Sequence, residues 1–469
     1  MLRVEAPEGR APERRYVLDL VLGERLGLDW ELSPGPAGRV TLLHDGSRLT
    51  LPDMLLATDR DRWLTPSSLP LTPLTRAAIP GPFAAGLVEP ELPILYGDPR
   101  GDRISPIIIT EGGDAEVSLD IFGSIFFLLA RYEELVVATR DEHDRFPALA
   151  SVTGGREHLE RPLADEYVEL LWAVMAHLWP DLRRRSPRPR LHLTHDVDFG
   201  RFAQSATLAT AIRATVADIV KRREPGLAGR RAAAYVGGRI GRDVRGDPLD
   251  RFDDMMTVAE RHGLRSAFYF VASRSGGPFD ATYDIAEPWV ERTMRRIVQR
   301  GHEIGLHASY ASHRDPSRVR LELERLRAIT ERAGAAPDGF GGRHHYLRWH
   351  NPDSWRAWSE AGLAYDSTLG YAEAPGFRAG TAYDYPAFDV AGGERLALRE
   401  RPLVVMDVSL RGYLGASPED TYTRTVELAR RARRVGGSFV LLWHNTSVVG
   451  AAQRRLYGEL VAALAPLFG

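Results

Sequence analysis

From residue 188 onward, hydrophobic positions alternate between short continuous apolar runs and longer amphipathic stretches. The short runs are typical of buried strands that end in polar residues: LHLTHD, SAFYFVAS, GHEIGLH and SFVLLWHN. Between them, apolar residues recur every three or four positions, which predicts helices over 250–262, 289–300, 316–333 and 418–435. Strands that alternate with helices favour parallel βα units, in a barrel or an open sheet.

The first 180 residues mix shorter strand-like and helical stretches. An apolar run at Ile107, Ile108 and Ile109 predicts a buried strand, and helices are predicted after Asp120 and over 165–178. The segment RRRSPRPR over 183–190 contains two prolines and a run of charge, which is typical of a linker. We therefore expect a smaller α/β or α+β domain over 1–187 and a second α/β domain over 188–469.

One stretch interrupts the regular alternation. Residues 201–248 contain ten Lys and Arg against four Asp and Glu, with helix-like patches. The pattern predicts a basic helical insertion after the first strand of the second domain. A solvated flap is one interpretation, and a basic rim that holds an anionic substrate or lipid headgroups is the other.

Composition and charge exclude several classes of protein. The 469 residues carry 61 Lys and Arg against 63 Asp and Glu, so no basic excess points to nucleic acid as the main partner. Cysteine is absent, so any metal must be bound by His, Asp or Glu. The amino terminus has no signal-like apolar region, and no run approaches the roughly 20 residues of a membrane span. We expect a cytoplasmic protein, with contact to a membrane surface through the basic insertion left open.

Two motifs at predicted strand ends suggest a metal site. THDVD places Asp196 and Asp198 two residues apart after a buried strand, where one carboxylate can bind a divalent metal and the other can accept a proton. His307 follows the next strand but one, in GHEIGLH. Ligand sites of parallel α/β folds form at the carboxyl ends of strands, so we expect these side chains to meet.

Two further motifs carry complementary chemistry. In GGRHHYLRWH, Arg343 is a candidate partner that holds Asp196 ionised. In LLWHNT, His444 directly follows a strand and is a candidate general acid for a leaving amine. Asp407 in VVMDVSL is its candidate partner, and Asp366 in YDSTLGY is a second polar group expected near the same edge.

From about residue 188 onward, the order of these motifs resembles the polysaccharide deacetylase family with NodB homology, carbohydrate esterase family 4. The resemblance implies a distorted (β/α) barrel of about seven strands that removes acetyl groups from N-acetylated sugars with one divalent metal. It implies Asp196 as the base and Asp198 and His307 as metal ligands. Zinc is the expected metal, with cobalt, nickel, manganese and iron as alternatives.

The resemblance also implies roles for the later motifs. Arg343 would pair with Asp196, and the backbone N–H of Tyr346 would help to hold the oxyanion. Leu442 would line the acetyl pocket, with Trp443 also expected to contact substrate, and His444 would be the acid.

The chain departs from the family pattern at two places. Ala311 stands where the family has its second histidine, so the third ligand is expected to be His313, two residues later. His345 is the alternative third ligand, and otherwise a substrate contact. The Asp-Trp motif of the family is not cleanly present, so the pairing of Asp407 with His444 rests on their positions at predicted strand ends.

The amino-terminal region resembles the accessory domain that precedes this deacetylase subtype in some bacteria, through SLDIFGSIFFLLARYEE, DEHDRFPA and ERPLADEY. Its Arg131, Glu133 and Glu134 are either site residues or parts of an interdomain ion-pair network. The preferred hypothesis is a bacterial deacetylase of a polysaccharide or a cytoplasmic glycan precursor. An amidohydrolase acting on a non-sugar C–N bond and a metal-less sugar-binding protein are the alternatives.

Overall fold

The computed structural model describes residues 1–97, 106–186, 188–240, 246–273, 279–334 and 339–469. The strands are β1 (Leu2–Ala6), β2 (Trp30–Pro34), β3 (Arg39–His44), β4 (Ser47–Pro52), β5 (Arg76–Ala78), β6 (Glu91–Pro93), β7 (Ile107–Ile109), β8 (Ala115–Val117), β9 (Leu191–Val197), β10 (Ser266–Val271), β11 (Glu303–Ala308), β12 (Gly341–His344), β13 (Tyr365–Asp366), β14 (Tyr385–Asp389), β15 (Glu394–Glu400), β16 (Val405–Met406) and β17 (Phe439–Leu442).

The α-helices are α1 (Ala11–Leu18), α2 (Gly81–Ala84), α3 (Ile121–Leu129), α4 (Glu133–Val136), α5 (Arg156–Leu159), α6 (Leu163–Leu178), α7 (Phe202–Ser205), α8 (Leu208–Val220), α9 (Pro225–Arg239), α10 (Phe252–Glu260), α11 (Pro288–Gln299), α12 (Pro316–Arg332), α13 (Asp353–Ala361), α14 (Pro418–Arg434) and α15 (Ala451–Phe468). Within the described ranges, none of these helices is long and apolar enough to cross a membrane.

Local sequence explains where the main helices begin. The side chain of Asp120 accepts a hydrogen bond from Gly123 N at the start of α3 (2.8 Å), which is the usual role of an N-cap. Asp315 does the same for α12, with Pro316 at its first position. The four helices predicted over the second half are confirmed as α10, α11, α12 and α14.

In the described ranges of the second half, nine strands form one sheet, in the order β14-β15-β13-β12-β11-β10-β9-β17-β16. Every neighbouring pair is parallel except β14 with β15. Helices connect successive parallel strands, so the sheet has the α/β character that the sequence predicts. The parallel arrangement brings the carboxyl ends of β9, β11, β12 and β17 to one edge.

The amino-terminal region has its own mixed sheet, in the order β2-β1-β3-β4-β8-β7. A two-stranded antiparallel ribbon of β5 and β6 lies outside it. The expected boundary at 187 falls on a residue outside the described ranges.

The two regions pack closely against each other and share one hydrophobic core. The Tyr16 hydroxyl donates to Pro386 O (2.7 Å) across this contact. Arg131 binds Glu134, and Glu134 in turn binds Arg378 of the second region (2.6 Å), with all three side chains buried. The arginine and glutamates singled out in the sequence therefore lie in an ion-pair network between the regions.

The segment between β9 and α10 contains helices α7, α8 and α9. Helices α8 and α9 pack together around a small core that includes Ala211, Leu227 and Ala234. Part of the predicted basic stretch, 241–245, lies outside the described residues.

Candidate functional site

Polar residues from several parallel strands meet at one edge of the second sheet. The residues and their positions are Asp196 and Asp198 at the end of β9, His307 on β11, Arg343 and His345 on and after β12, Asp407 after β16, and His444 after β17. These motifs are up to 248 positions apart in sequence, from Asp196 to His444, and the common direction of their strands brings them together.

Asp198, His307 and His345 form a candidate metal cluster. Asp198 Oδ1 lies 3.1 Å from His307 Nε2 and 3.4 Å from His345 Nε2. One ligand atom from each residue lies within 4.8 Å of the others. One carboxylate and two imidazoles, with space on the cavity side, are the donor set of a catalytic zinc site.

A hydrogen bond to His307 and a nearby carboxylate beside His345 lie on the outer side of the two imidazoles. His307 donates from Nδ1 to the carbonyl of Arg343 (2.9 Å), which leaves the lone pair of Nε2 directed into the cluster. His345 Nδ1 lies 3.7 Å from Asp280 Oδ1, and Asp280 is itself held by the Tyr310 N–H (2.8 Å). Asp280 is a site residue that no motif in the sequence had indicated.

The structure places His345, rather than His313, with Asp198 and His307. His313 Nε2 lies 3.0 Å from Asp144 Oδ2 of the amino-terminal region, which directs its ring away from the cluster. The replacement has a local cause, because Tyr346 adopts a left-handed conformation (φ 62°) directly after His345 and turns the chain at the end of β12. His345 thus takes the place expected for a ligand from the loop after β11.

The cluster alters the ionisation of its members in opposite directions. Burial opposes ionisation of Asp198, but the facing imidazoles of His345 and His307 outweigh it and lower the pKa of Asp198 well below its usual value. For His345, burial lowers the pKa, whereas Asp198 and Asp280 raise it to about 9. An ionised carboxylate that faces two imidazoles is a donor set that could hold a cation in place of the proton.

Asp196 is held next to the cluster by a buried arginine. Arg343 donates from Nη1 to Asp196 Oδ1 (2.8 Å), and its other nitrogens bind Ser367 and Thr194. The second carboxylate oxygen of Asp196 lies 3.7 Å from His307 Nε2. The predicted Arg343–Asp196 pair is present, and it leaves one carboxylate oxygen facing the cluster.

His444 and Asp407 form a second pair on the far side of the cluster. Asp407 accepts from His444 Nδ1 (2.6 Å) and from the His444 backbone N–H (3.1 Å). Burial lowers the pKa of His444, but Asp407 outweighs it and raises the pKa to about 10. The Nε2 atom of His444 lies 3.6 Å from Asp198 Oδ2, so the Nε2 edge of the ring is directed into the site.

A cavity of about 380 Å³ opens over these groups. Its wall is largely apolar and aromatic, formed by Phe199, Phe279, Tyr346, Leu347, Ala372, Met406, Val408 and Tyr413. Arg145 of the amino-terminal region also lines it. The site therefore combines a charged floor with an apolar wall.

Two residues expected at the substrate lie behind this wall. Leu442 is fully buried and packs in the cluster that contains Leu347 and Met406, so it supports the lining from beneath. Trp443 faces the opposite side of the strand end and packs on Tyr457, with ring centroids 5.9 Å apart. Trp443 is thus a core residue, because successive side chains of a strand point to opposite faces.

Asp366 is also fully buried and accepts a hydrogen bond from Thr368 N (3.0 Å).

The amino-terminal segment 141–146 closes one side of the site. Arg145 donates to the carbonyl of Tyr346 (3.2 Å), and its guanidinium is fixed by Asp141 (2.7 Å). The carbonyl of His143 accepts from Arg348 Nε (2.7 Å). These contacts link the segment DEHDRFPA to the left-handed turn after β12.

Comparison with known proteins adds limited information. Residues 2–180 match a family of unknown function, DUF7033, and no curated protein matches the chain. A solved structure from Mycobacterium smegmatis described as a polysaccharide deacetylase is 20% identical, with a TM-score of 0.37 over 61% of this chain and 86% of that chain. A similarly described protein from Pseudomonas aeruginosa is 14% identical, with a TM-score of 0.36 over 61% and 86%.

A third solved structure is a CE4 family pseudoenzyme from Bacillus anthracis. It is 10% identical to this chain, with a TM-score of 0.27 over 47% of this chain and 57% of that chain. Because these sequence identities and TM-scores are low, the chemistry of the site is inferred from its own residues.

Proposed function

We propose that the chain is a metal-dependent hydrolase that removes acetyl groups from N-acetylated sugars, in a polysaccharide or a glycan precursor. The observation that supports this proposal is the convergence of three devices on one cavity. These devices are the cluster of Asp198, His307 and His345, the Asp196–Arg343 pair and the His444–Asp407 pair. Amide hydrolysis needs an activated water, a base and an acid, and each device supplies one of them.

Asp198, His307 and His345 would hold the divalent metal, with zinc as the proposed ion. The Asp198 Oδ1 atom indicates that these residues fit a metal. Among the described residues this buried oxygen has no hydrogen-bond partner, and it faces two imidazole nitrogens. When bound, the metal supplies a water of lowered pKa and polarises the acyl carbonyl.

Asp196 is the proposed base. Arg343 occupies one of its oxygens, so the other is the atom available to accept the proton of the attacking water. Arg343 is fully buried and also donates to Ser367 and Thr194, so it holds the Asp196 carboxylate in one orientation.

His444 is the proposed acid. With its pKa raised to about 10, its ring is protonated at neutral pH and can deliver a proton to the departing amine. Asp407 is fully buried and binds both the ring and the backbone of His444, so it holds the imidazole in place during the transfer.

The backbone N–H of Tyr346 is the proposed donor to the oxyanion of the tetrahedral intermediate. Tyr346 and Leu347 both have positive φ (62° and 54°), a conformation that costs of order 1–3 kcal/mol at a non-glycine residue. In this proposal the Tyr346 N–H faces the cavity, where a fixed donor stabilises developing charge.

The finer architecture belongs to this proposal. Residues 188–469 would form the distorted (β/α) barrel of this enzyme class, with 1–187 as a separate domain and the protein in a bacterial cytoplasm. A second candidate function is favoured by the apolar wall of the cavity. A wall built from Phe199, Phe279 and Met406 also suits a non-sugar amide with an aliphatic or aromatic group.

Acetate release from a substrate panel tests the proposal. Zinc-loaded protein is incubated with N-acetylglucosamine oligomers and with simple aliphatic and aryl acetamides, and Asp196→Asn serves as the matched control. We expect release from the oligomers only, reduced about 10²–10⁴-fold in Asp196→Asn because an amide cannot accept the proton. Release from the acetamides alone favours the second function, and zinc-loaded protein that hydrolyses neither contradicts both.

A further inference from the structure

The helical insertion carries an apolar surface that the described part of the protein leaves exposed. On α8, five aliphatic side chains have exposed fractions of 51–68%: Leu208, Ile212, Val216, Ile219 and Val220. At about 100° per residue they occupy one arc of about 120° along the helix. The opposite side of α8 carries the residues that are buried, Ala211 and Asp218. A helix in a globular protein normally turns its apolar arc toward the core. In α8 the apolar arc faces solvent instead.

The neighbouring helix α9 also has exposed aliphatic residues. Val236 on α9 and Ile240 at its carboxyl end are 59% and 61% exposed. The two helices are held together by other residues, including Ala211, Leu227 and Ala234. The exposed aliphatic residues are therefore not needed for the packing of the hairpin formed by α8 and α9.

The hairpin is also strongly basic. Residues 207–240 contain seven Lys and Arg against two Asp and Glu, although the whole chain has a net charge of −2. Arg222 and Arg231 bind the buried Asp218 at 2.6 and 2.7 Å. Arg213, Lys221 and Arg230 are exposed on the hairpin. An exposed aliphatic arc flanked by cations is the composition of helices that lie on anionic membranes.

We propose that the hairpin of α8 and α9 docks on an anionic lipid bilayer. The aliphatic arc of α8 enters the boundary between headgroups and acyl chains, and the cations contact lipid phosphates. With 13 residues, α8 is about 20 Å long, which suits a helix in the plane of the interface and is too short to span the bilayer. The excess of cations favours anionic lipid over a second copy of this chain, whose hairpin would carry the same charge.

The hairpin is anchored next to the cavity. Phe199, which precedes the insertion, lines the cavity and is 40% exposed. Asn445 donates from Nδ2 to Phe199 O (2.8 Å) and to Leu249 O (3.1 Å), so it ties both ends of the insertion to the residue after His444. Docking would thus hold the cavity close to the lipid surface, whatever reaction the cavity performs.

Vesicle sedimentation tests the aliphatic part of the surface. Full-length protein is mixed with phosphatidylcholine vesicles that contain or lack phosphatidylglycerol. We expect binding to the anionic vesicles and a roughly tenfold or greater loss of partitioning in Ile212→Ser/Val216→Ser/Ile219→Ser. The matched control is Leu71→Ser/Leu149→Ser/Leu321→Ser, in which leucines that are 88%, 92% and 65% exposed are replaced outside the hairpin, and it should bind like the wild type.

A charge variant tests the same proposal without altering the aliphatic arc. Arg213→Gln/Lys221→Gln/Arg230→Gln should bind anionic vesicles more weakly, and added salt should weaken the wild type in the same way. Absence of wild-type binding to anionic vesicles, or equal binding by the wild type and the aliphatic triple variant, would overturn the proposal. A concentration-dependent dimer that the aliphatic variant abolishes would identify a second copy as the occupant and would also overturn it.

Discussion

Asp196 and Asp198 stand two residues apart, yet their surroundings prepare them for different tasks. Asp196 is bound by the guanidinium of Arg343, whereas Asp198 faces the imidazoles of His307 and His345. A buried carboxylate requires a partner that compensates the lost hydration, and the identity of that partner decides its chemistry. The fixed carboxylate suits a base, and the one facing two ring nitrogens suits a metal ligand.

The acid role of His444 predicts a dependence on the leaving group. His444→Ala should keep the metal but lose turnover most severely on N-acetylglucosamine oligomers, whose amine must be protonated as it departs. An activated acetyl ester needs less protonation, so it should retain a larger part of its rate. Parallel kcat measurements on the two substrate types check this, and equal losses on both would count against the acid role.

The Asp407–His444 contact predicts a shift in the pH profile. Burial lowers the pKa of His444 and Asp407 raises it to about 10, so removal of the carboxylate charge must lower it. In Asp407→Asn the ring should lose its proton at lower pH, toward the ordinary value of about 6.5. We expect the basic limb of kcat/KM to move down in pH by at least about one unit. A basic limb at the wild-type position would rule out His444 as the group that it reports.

At the scale of elements, the turn after β12 determines the composition of the metal cluster. Two consecutive residues with positive φ, Tyr346 and Leu347, redirect the chain after His345. The ring of His345 lies 4.7 Å from that of His307, measured between centroids. The strand end that carries Arg343 thus also supplies a candidate metal ligand.

This geometry predicts which histidine retains the metal. His345→Ala should lower zinc affinity by at least about 100-fold, because outright loss of a ligand exceeds the 10–100-fold effect typical of residues that only orient one. His313→Ala is the matched control on the neighbouring loop and should bind zinc like the wild type, since its Nε2 contacts Asp144. Zinc titration against a competing chelator measures both affinities. Loss of affinity in His313→Ala alone would restore the ligand set expected from sequence.

The same turn shows what the sequence could and could not predict. Helices α10, α11, α12 and α14 follow from periodicity and local caps, so their predicted bounds agree closely with the structure. The strand-end positions of Asp196, Asp198, His307 and His444 follow from alternation in the same way. The choice between His313 and His345 depends on backbone dihedral angles after β12, and no residue pattern indicates left-handed tyrosine and leucine.

At the scale of the whole molecule, the amino-terminal region is part of the site rather than a detached neighbour. Arg145 lines the cavity and binds the carbonyl of Tyr346, while His143 binds Arg348 on the same turn. The buried Arg131–Glu134–Arg378 network lies along the same contact between regions. Contacts between residues about 200 positions apart leave no local periodicity, so the sequence displayed DEHDRFPA as a motif without indicating its partner.

This arrangement predicts that Arg145, a residue of the amino-terminal region outside the candidate metal cluster, affects turnover. Arg145→Ala should lower kcat by about tenfold or more with a smaller change in KM, because the turn that carries the Tyr346 N–H loses its anchor and small misplacements are costly. Arg156→Ala, in the same region but 69% exposed in its side chain, is the matched control. Arg145→Lys should recover part of the rate. A wild-type kcat in Arg145→Ala would show that the turn needs no support from this region.

The central claim is that this site hydrolyses an amide with one bound metal, and acetate release during a zinc titration tests it most directly. Metal-free full-length protein is titrated with zinc in the presence of an N-acetylglucosamine oligomer, and acetate is measured at each step. The account predicts no release without zinc and a rise that reaches its plateau at about one equivalent per chain. Release that is independent of zinc, or none at any zinc concentration, would contradict it.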